Sequence, residues 1–117
     1  MGSLGETWDC VERVSLPVEY AAEHLLRKGL RVLSTPCLVL AMERVARKCL
    51  DSRTGKTSVG YRVDVKHRKS LDLPAEVVIA ARIYYWDERR ALVYVRVETV
   101  EGELVGEGIN ERFSVEG

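Results

Sequence analysis

One long helix followed only by strands is the feature that most constrains this chain. Thr35-Pro36 opens that helix. Threonine there is a good N-cap, and proline is pre-set for the first helical position. The pattern predicts a helix from residue 35 to about residue 50, stopping before a turn at 51–56. At about 100° per residue, Leu38, Met42, Val45 and Cys49 fall in one stripe, which Val39, Ala41 and Ala46 widen. Arg44, Arg47 and Lys48 take the opposite face. Such a helix is expected to be mostly enclosed, with one cationic edge.

Strand signals occupy most of the rest. Residues 6–15 alternate loosely and read as a strand that Pro17 ends. Residues 18–28 carry a short helical pattern closed by Gly29, and 30–34 are ambiguous. Four strand candidates follow the long helix, at 57–68, 75–86, 91–100 and 103–115. In the first of them Val59, Tyr61, Val63, Val65 and His67 share one face by simple alternation. Gly106 and Gly108 suggest a bend or bulge in the last. With no repeat or linker, residues 1–117 are expected to form a single α+β domain. One helix must cover one large antiparallel sheet, so a sheet of about five strands wrapped around that helix is the economical arrangement. The sheet's other face and its edges then need cover, most simply from a second copy of the chain.

Charge and cysteine usage exclude several classes. The chain has 18 basic and 18 acidic residues. That balance argues against nucleic acid, which calls for clustered positive charge. No apolar run approaches the roughly 18 residues of a membrane span, and residues 1–5 show no leader pattern. Cys10, Cys37 and Cys49 are odd in number and form no C-x-x-C pair, which points to reduced thiols and a cytoplasmic protein. His24 and His67 are not spaced as metal ligands with them, so no metal is expected. Glutamine is absent and Asn110 is the only asparagine, against thirteen Glu and thirteen Arg. Few thermolabile amides and many ion-pairing side chains fit a hot-environment protein.

Three residues stand out for chemistry, each with a plainer reading. Glu43 is the only acid of helix residues 35–50 and sits at the rim of the buried stripe. It is either an i,i+4 ion-pair partner of Arg47 or a half-buried carboxylate suited to act as base or nucleophile. His67 ends a strand on an apolar face, either as a packed edge histidine or as a proton acceptor. Thr35 caps the helix, or lends its hydroxyl beside free N–H groups that can hold a developing oxyanion. Thr35 and Glu43 are eight residues apart, about 12 Å of helix, so only a bridging imidazole could link them in a relay. Assembly of a site across a two-fold axis is the other arrangement.

The segments S-T-P-C-L-V-L-A-M-E (34–43), S-V-G-Y-R-V-D-V-K-H (58–67) and G-E-G-I-N-E-R (106–112) together resemble hot-dog-fold thioesterases of the fluoroacetyl-CoA thioesterase type. The resemblance spans about residues 6–115. It rests on joint spacing: threonine, eight residues to glutamate, then glycine, seven residues to histidine. It implies a hot-dog fold, a homodimer or dimer of dimers, and a catalytic set of Thr35, Glu43 and His67. It places Gly60 near the thioester. Coenzyme A is then part of the substrate, and no separate cofactor is implied. Arg68 and Lys69 are candidates for its phosphates, or else solvated loop charges. Two departures matter. Residues 20–33 contain no phenylalanine, so the aromatic lid that selects a fluorinated acyl group is not supported. Residues 68–75 lack the family's small-residue stretch. The implied activity is hydrolysis of an acyl-CoA thioester. The alternatives are a non-catalytic acyl-CoA binding or sensing module and, less well matched, a hot-dog dehydratase.

Overall fold

The computed structural model describes residues 7–115. Strand β1 (Cys10–Leu16) leads into a single 3-10 turn (Val18–Tyr20) and a short helix α1 (Glu23–Leu26). The long helix α2 (Thr35–Thr54) follows, then β2 (Ser58–His67), β3 (Ala75–Trp86), β4 (Arg90–Thr99) and β5 (Leu104–Ser114). All strand pairs are antiparallel, in the order β1-β3-β4-β5-β2. This is the expected α+β arrangement of five strands on one helix. Residue 6, where the first strand was expected to begin, and residues 1–5 lie outside the described residues.

The ends of α2 differ from the sequence expectation. Ser34, not Thr35, is the N-cap: its Oγ accepts from the Cys37 N–H at 3.2 Å. Pro36 occupies the first turn, where its missing N–H costs nothing. At the other end the helix continues past Leu50 to Thr54, because nothing in 51–54 interrupts its hydrogen bonds. Gly55, at φ 73°, supplies the left-handed cap and donates to Asp51 O. The pattern at 18–28 yields only two short turns. Ala21 and Ala22 are extended, because Ala21 bridges Leu33 and the Ala22 N–H donates to Val32 O at 2.8 Å. Residues 31–33 are in turn bonded to residues 71–73, through Leu33 N to Leu71 O and Leu73 N to Arg31 O. These bonds fix the entry to α2 beside the far end of β2.

The inner face of α2 buries Leu38, Ala41, Met42, Val45, Ala46, Cys49 and Leu50. They pack on Val77, Ile79 and Ala81 of β3, Val93, Val95 and Val97 of β4, and Val105 of β5. Fully burying a side chain of this size contributes about 1.5–3 kcal/mol. The small residues of the seam let helix and sheet approach: a Cβ on Gly106 would lie 2.8 Å from Leu38 Cδ2. The bend expected at Gly106 and Gly108 takes the form of a bulge in β5 at Val105, which is skipped as Val97 pairs with Gly106 and Glu98 with Leu104.

Two further expectations are corrected. Simple alternation put Val59 and Tyr61 on the same face as His67. A bulge between Gly60 and Arg62 resets the alternation, so Ser58 and Gly60 face α2 while Val59 and Tyr61 lie on the outer face near Phe113. Beyond the bulge His67 pairs with Gly106 and does face the helix. The cysteines are not all reduced. Cys10 and Cys49 form a disulfide, with Cα atoms 6.0 Å apart, and only Cys37 is free. The first residue of β1 lands against the last turns of α2, which no sequence spacing announces. The cysteine count therefore gives no argument for a reducing compartment. No helix among the described residues is long and apolar enough to cross a membrane.

Candidate active site

Because Ser34 caps α2, the Thr35 hydroxyl is free of that duty. Thr35 Oγ1 and His67 Nδ1 share a hydrogen bond of 2.8 Å. His67 is brought there by the end of β2, and the chain then turns so that the Arg68 N–H donates to Val105 O. The other ring nitrogen, His67 Nε2, is buried and has no hydrogen-bond partner. A buried unpaired ring nitrogen costs free energy, of order 1–3 kcal/mol. The site thus holds an oriented imidazole with one nitrogen tied and one vacant, beside a helix N-terminus whose amide dipoles favour negative charge.

Glu43 lies two turns further along α2 and points to the sheet. Its Oε2 pairs with Arg112 Nη1 at 3.3 Å. Arg112, not Arg47, is the ion-pair partner. Arg112 is 2% exposed and is the largest fully buried side chain. Its Nε donates to Ser58 Oγ at 2.8 Å, Nη2 to Ser58 O, and Nη1 also to Asn110 Oδ1. Ser58 Oγ in turn donates to Asp51 Oδ1 at 2.7 Å. Every nitrogen of the guanidinium is therefore satisfied, the condition under which a buried charge is tolerated. The fork thus holds Glu43 through a buried, fully hydrogen-bonded neighbour.

Gly60 is the third part of this cluster. A Cβ there would fall well inside van der Waals contact of Glu43 Oε2, and 3.4 Å from Arg112 Nη1. Only a glycine leaves room for the carboxylate to lie against β2. Thr35 with His67, and Glu43 with Gly60 and Arg112, are thus two groups along one side of α2. The structure joins the first pair directly and ties Glu43 to Arg112 rather than to His67. Arg68 pairs with Glu107 at 2.9 Å and Lys69 with Glu103 at 3.8 Å, so both loop cations already face carboxylates. The Tyr94 hydroxyl, with Arg68 adding to it, holds the Glu107 carboxyl below the usual range. Among the described residues no cluster of His, Cys, Asp and Glu is placed to hold a metal ion.

Sequence reading missed Arg112, Ser58, Asn110 and Asp51. One signal was present: along β5, Gly106, Gly108, Asn110 and Arg112 occupy the face that should be apolar. Four small or polar residues in a row on a buried face mark a polar seam.

A five-stranded antiparallel sheet packed on one long helix, with a polar seam where that helix meets the last strands, defines a hot-dog thioesterase fold. Solved structures agree. A hypothetical thioesterase from Streptococcus pneumoniae TIGR4, crystallised with coenzyme A, superposes with a TM-score of 0.78 at 12% identity, covering 90% of this chain and 79% of the other. A variant of the fluoroacetyl-CoA-specific thioesterase FlK, in complex with fluoroacetate and CoA, gives 0.77 at 19%, covering 91% and 90%. A Bacillus halodurans protein with CoA gives 0.76 at 14%, covering 92% and 68%. No protein of curated function matches the sequence. Residues 17–117 match the sequence signature of the fluoroacetyl-CoA-specific thioesterases, and the chain belongs to that family of thioester hydrolases.

Proposed function

We propose that this chain hydrolyses the thioester of a small or medium acyl-CoA, with Thr35, Glu43 and His67 as its catalytic set. The observation that carries the reading is the vacant Nε2 of His67, oriented by Thr35 beside the N-terminus of α2. In hydrolysis, water adds to the thioester carbonyl, the C–S bond breaks, and coenzyme A leaves as the thiol; if the carboxylate adds first, the thiol leaves from a mixed anhydride on Glu43 that water then cleaves to free acid and carboxylate. Glu43, held by Arg112, supplies the negative charge that activates water or attacks the carbonyl. His67 moves the proton. The Thr35 hydroxyl and the positive end of the α2 dipole receive the charge that develops on the carbonyl oxygen. Gly60 leaves room for the Glu43 carboxylate against β2, and the thioester would lie next to them.

The working unit we infer is a homodimer, alone or as a dimer of dimers. Strand β2 is a ten-residue edge that pairs only with β5, and Val59, Tyr61 and Val63 on it are 50%, 68% and 41% exposed. A long apolar edge of this kind is a template for pairing with a second copy. Sedimentation should give twice the chain mass or four times it; a stable monomer at micromolar concentration contradicts this.

The deciding experiment is thiol release from a panel of acyl-CoAs, with binding measured in parallel. Turnover on one or more members supports the hydrolase. Binding of the panel without release of thiol makes the chain a binding or sensing module instead.

A further inference from the structure

We propose that the cleft between β1 and α2 is a second binding site, for a small carboxylate with an aliphatic tail. It lies on the side of α2 away from β2 and β5, and so apart from the Glu43–Arg112 cluster. The cleft holds about 250 Å³. That is a little below the roughly 300–1,000 Å³ of drug-sized ligand sites and room for roughly eight water-sized units, enough for a small acid and too little for a nucleotide.

Its floor is the core itself. Val14, Leu16, Ala41 and Val45 line it, and the last three are 1%, 4% and 4% exposed. Its rim is cationic, with Arg44, Arg47 and Lys48 against one acid, Glu12. Lys48 and Glu12 satisfy each other at 3.0 Å. The other two cations are not compensated. Arg44 Nη1 donates to the neutral Tyr20 hydroxyl at 2.9 Å, which orients the guanidinium, and among the described residues neither Arg44 nor Arg47 has a carboxylate partner. The rim is thus net positive by two in a chain whose charges cancel. The walls are held together: the Cys10–Cys49 disulfide ties β1 to α2, and Arg53 pairs with Asp9 just before β1.

An aliphatic floor under two guanidinium groups without carboxylate partners, one of them oriented by Tyr20, selects a ligand with both an apolar body and a planar anion. Arginine forks match carboxylate geometry, and each methylene laid on the floor adds about 0.8 kcal/mol of burial. A bare anion gains nothing from the floor, and an alcohol nothing from the rim. Carboxylates of this class are also the acid products of thioester hydrolysis, but occupancy of the cleft requires no turnover, so the proposal stands or falls independently of the catalytic reading.

The test uses hexanoate, with hexan-1-ol and inorganic phosphate as controls, followed by amide chemical shifts of the whole protein. Hexanoate is expected to shift Val14, Ala41 and Val45 saturably, and to do so equally in Glu43→Gln. A double variant, Arg44→Gln with Arg47→Gln, changes only exposed side chains and is expected to fold; it should weaken hexanoate by at least about 10-fold, the scale of one lost charge-assisted hydrogen bond. Three results overturn the proposal: phosphate or hexan-1-ol shifting the same residues as strongly as hexanoate does, hexanoate shifts confined to residues near Gly60 and His67, or no loss of affinity in the double variant.

Discussion

Gly60→Ala probes the placement of Glu43 without replacing any charged group. The added methyl would overlap Glu43 Oε2 and lie 3.4 Å from both Arg112 Nη1 and Glu43 Cδ. The β2 backbone cannot retreat easily, since Gly60 is paired with Arg112 in the ladder. The carboxylate must therefore swing aside by about 1 Å to recover ordinary contact, and a displacement of that size at a reacting group costs about 10²-fold in rate. Stability should change little. Arg112 loses one of four acceptors and keeps Ser58 Oγ, Ser58 O and Asn110 Oδ1. The weakened bond is expected to cost about 1–2 kcal/mol, and alanine recovers about 0.5–1 kcal/mol of backbone entropy in the strand. Thiol release and a thermal melt on the same preparation give both quantities. The expected result is kcat lower by about two orders of magnitude with Tm within a few degrees of wild type. Near-normal kcat in a folded Gly60→Ala would refute the idea that Glu43 works from its position against β2.

His67→Ala should lower kcat by about 10²-fold or more at unchanged fold, the usual scale for losing a general base; steady-state kinetics on one acyl-CoA checks this, and retained turnover contradicts the role. The Cys10–Cys49 bridge closes a loop with a sequence separation of 39. Loop entropy then gives about 4 kcal/mol of stabilisation, so the paired serine variant should melt more than about 10 °C lower and show one titratable thiol where the fully reduced wild type shows three; equal melting temperatures contradict it. On the outer sheet face, Tyr94 holds the Glu107 carboxyl below its usual range, and Arg90 does the same for Glu111. Groups whose pKa is depressed by folding contribute stability that is fully present above the unfolded value, about 4.3, and is lost as pH falls through the folded value. Denaturant melts should therefore weaken on acidification below about pH 4, and Glu111→Gln should flatten that limb; an acid limb unchanged by Glu111→Gln contradicts the assignment.

Much of the architecture was legible because it follows from periodicity. The stripe on α2 and the alternation of β3 to β5 need only neighbouring residues to be read, and each was found within a few residues of its true limits. What escaped was set by tertiary contact. Ser34 and Thr35 are both competent caps, and the choice between them is made by His67, which claims the Thr35 hydroxyl from 32 residues away. The bulge at Gly60 is invisible in alternation, yet it turns Gly60 toward Glu43 and Val59 away from the helix. Arg47 was the natural partner of Glu43 by helix spacing, but a half-exposed pair is weak, and a buried guanidinium on β5 competes for the same carboxylate with its other donors already satisfied. Spacing and family resemblance singled out Thr35, Glu43 and His67; of these the structure pairs Thr35 with His67 and ties Glu43 to Arg112. The polar seam that orients Glu43, from Asp51 through Ser58 to Arg112, had no sequence-local signature beyond the unusual inner face of β5.

The central claim is that the Glu43 charge, set in place by Arg112, drives thioester cleavage. Its most direct test is thiol release by wild type and Glu43→Gln on the same acyl-CoA, with affinity measured for both. The amide keeps the size of the side chain and an oxygen for Arg112, and loses only the charge that attacks or accepts a proton. Turnover is predicted to fall by at least about 10²-fold while the substrate still binds and the melting temperature holds. A folded Glu43→Gln that releases thiol within a few-fold of wild type would contradict the account.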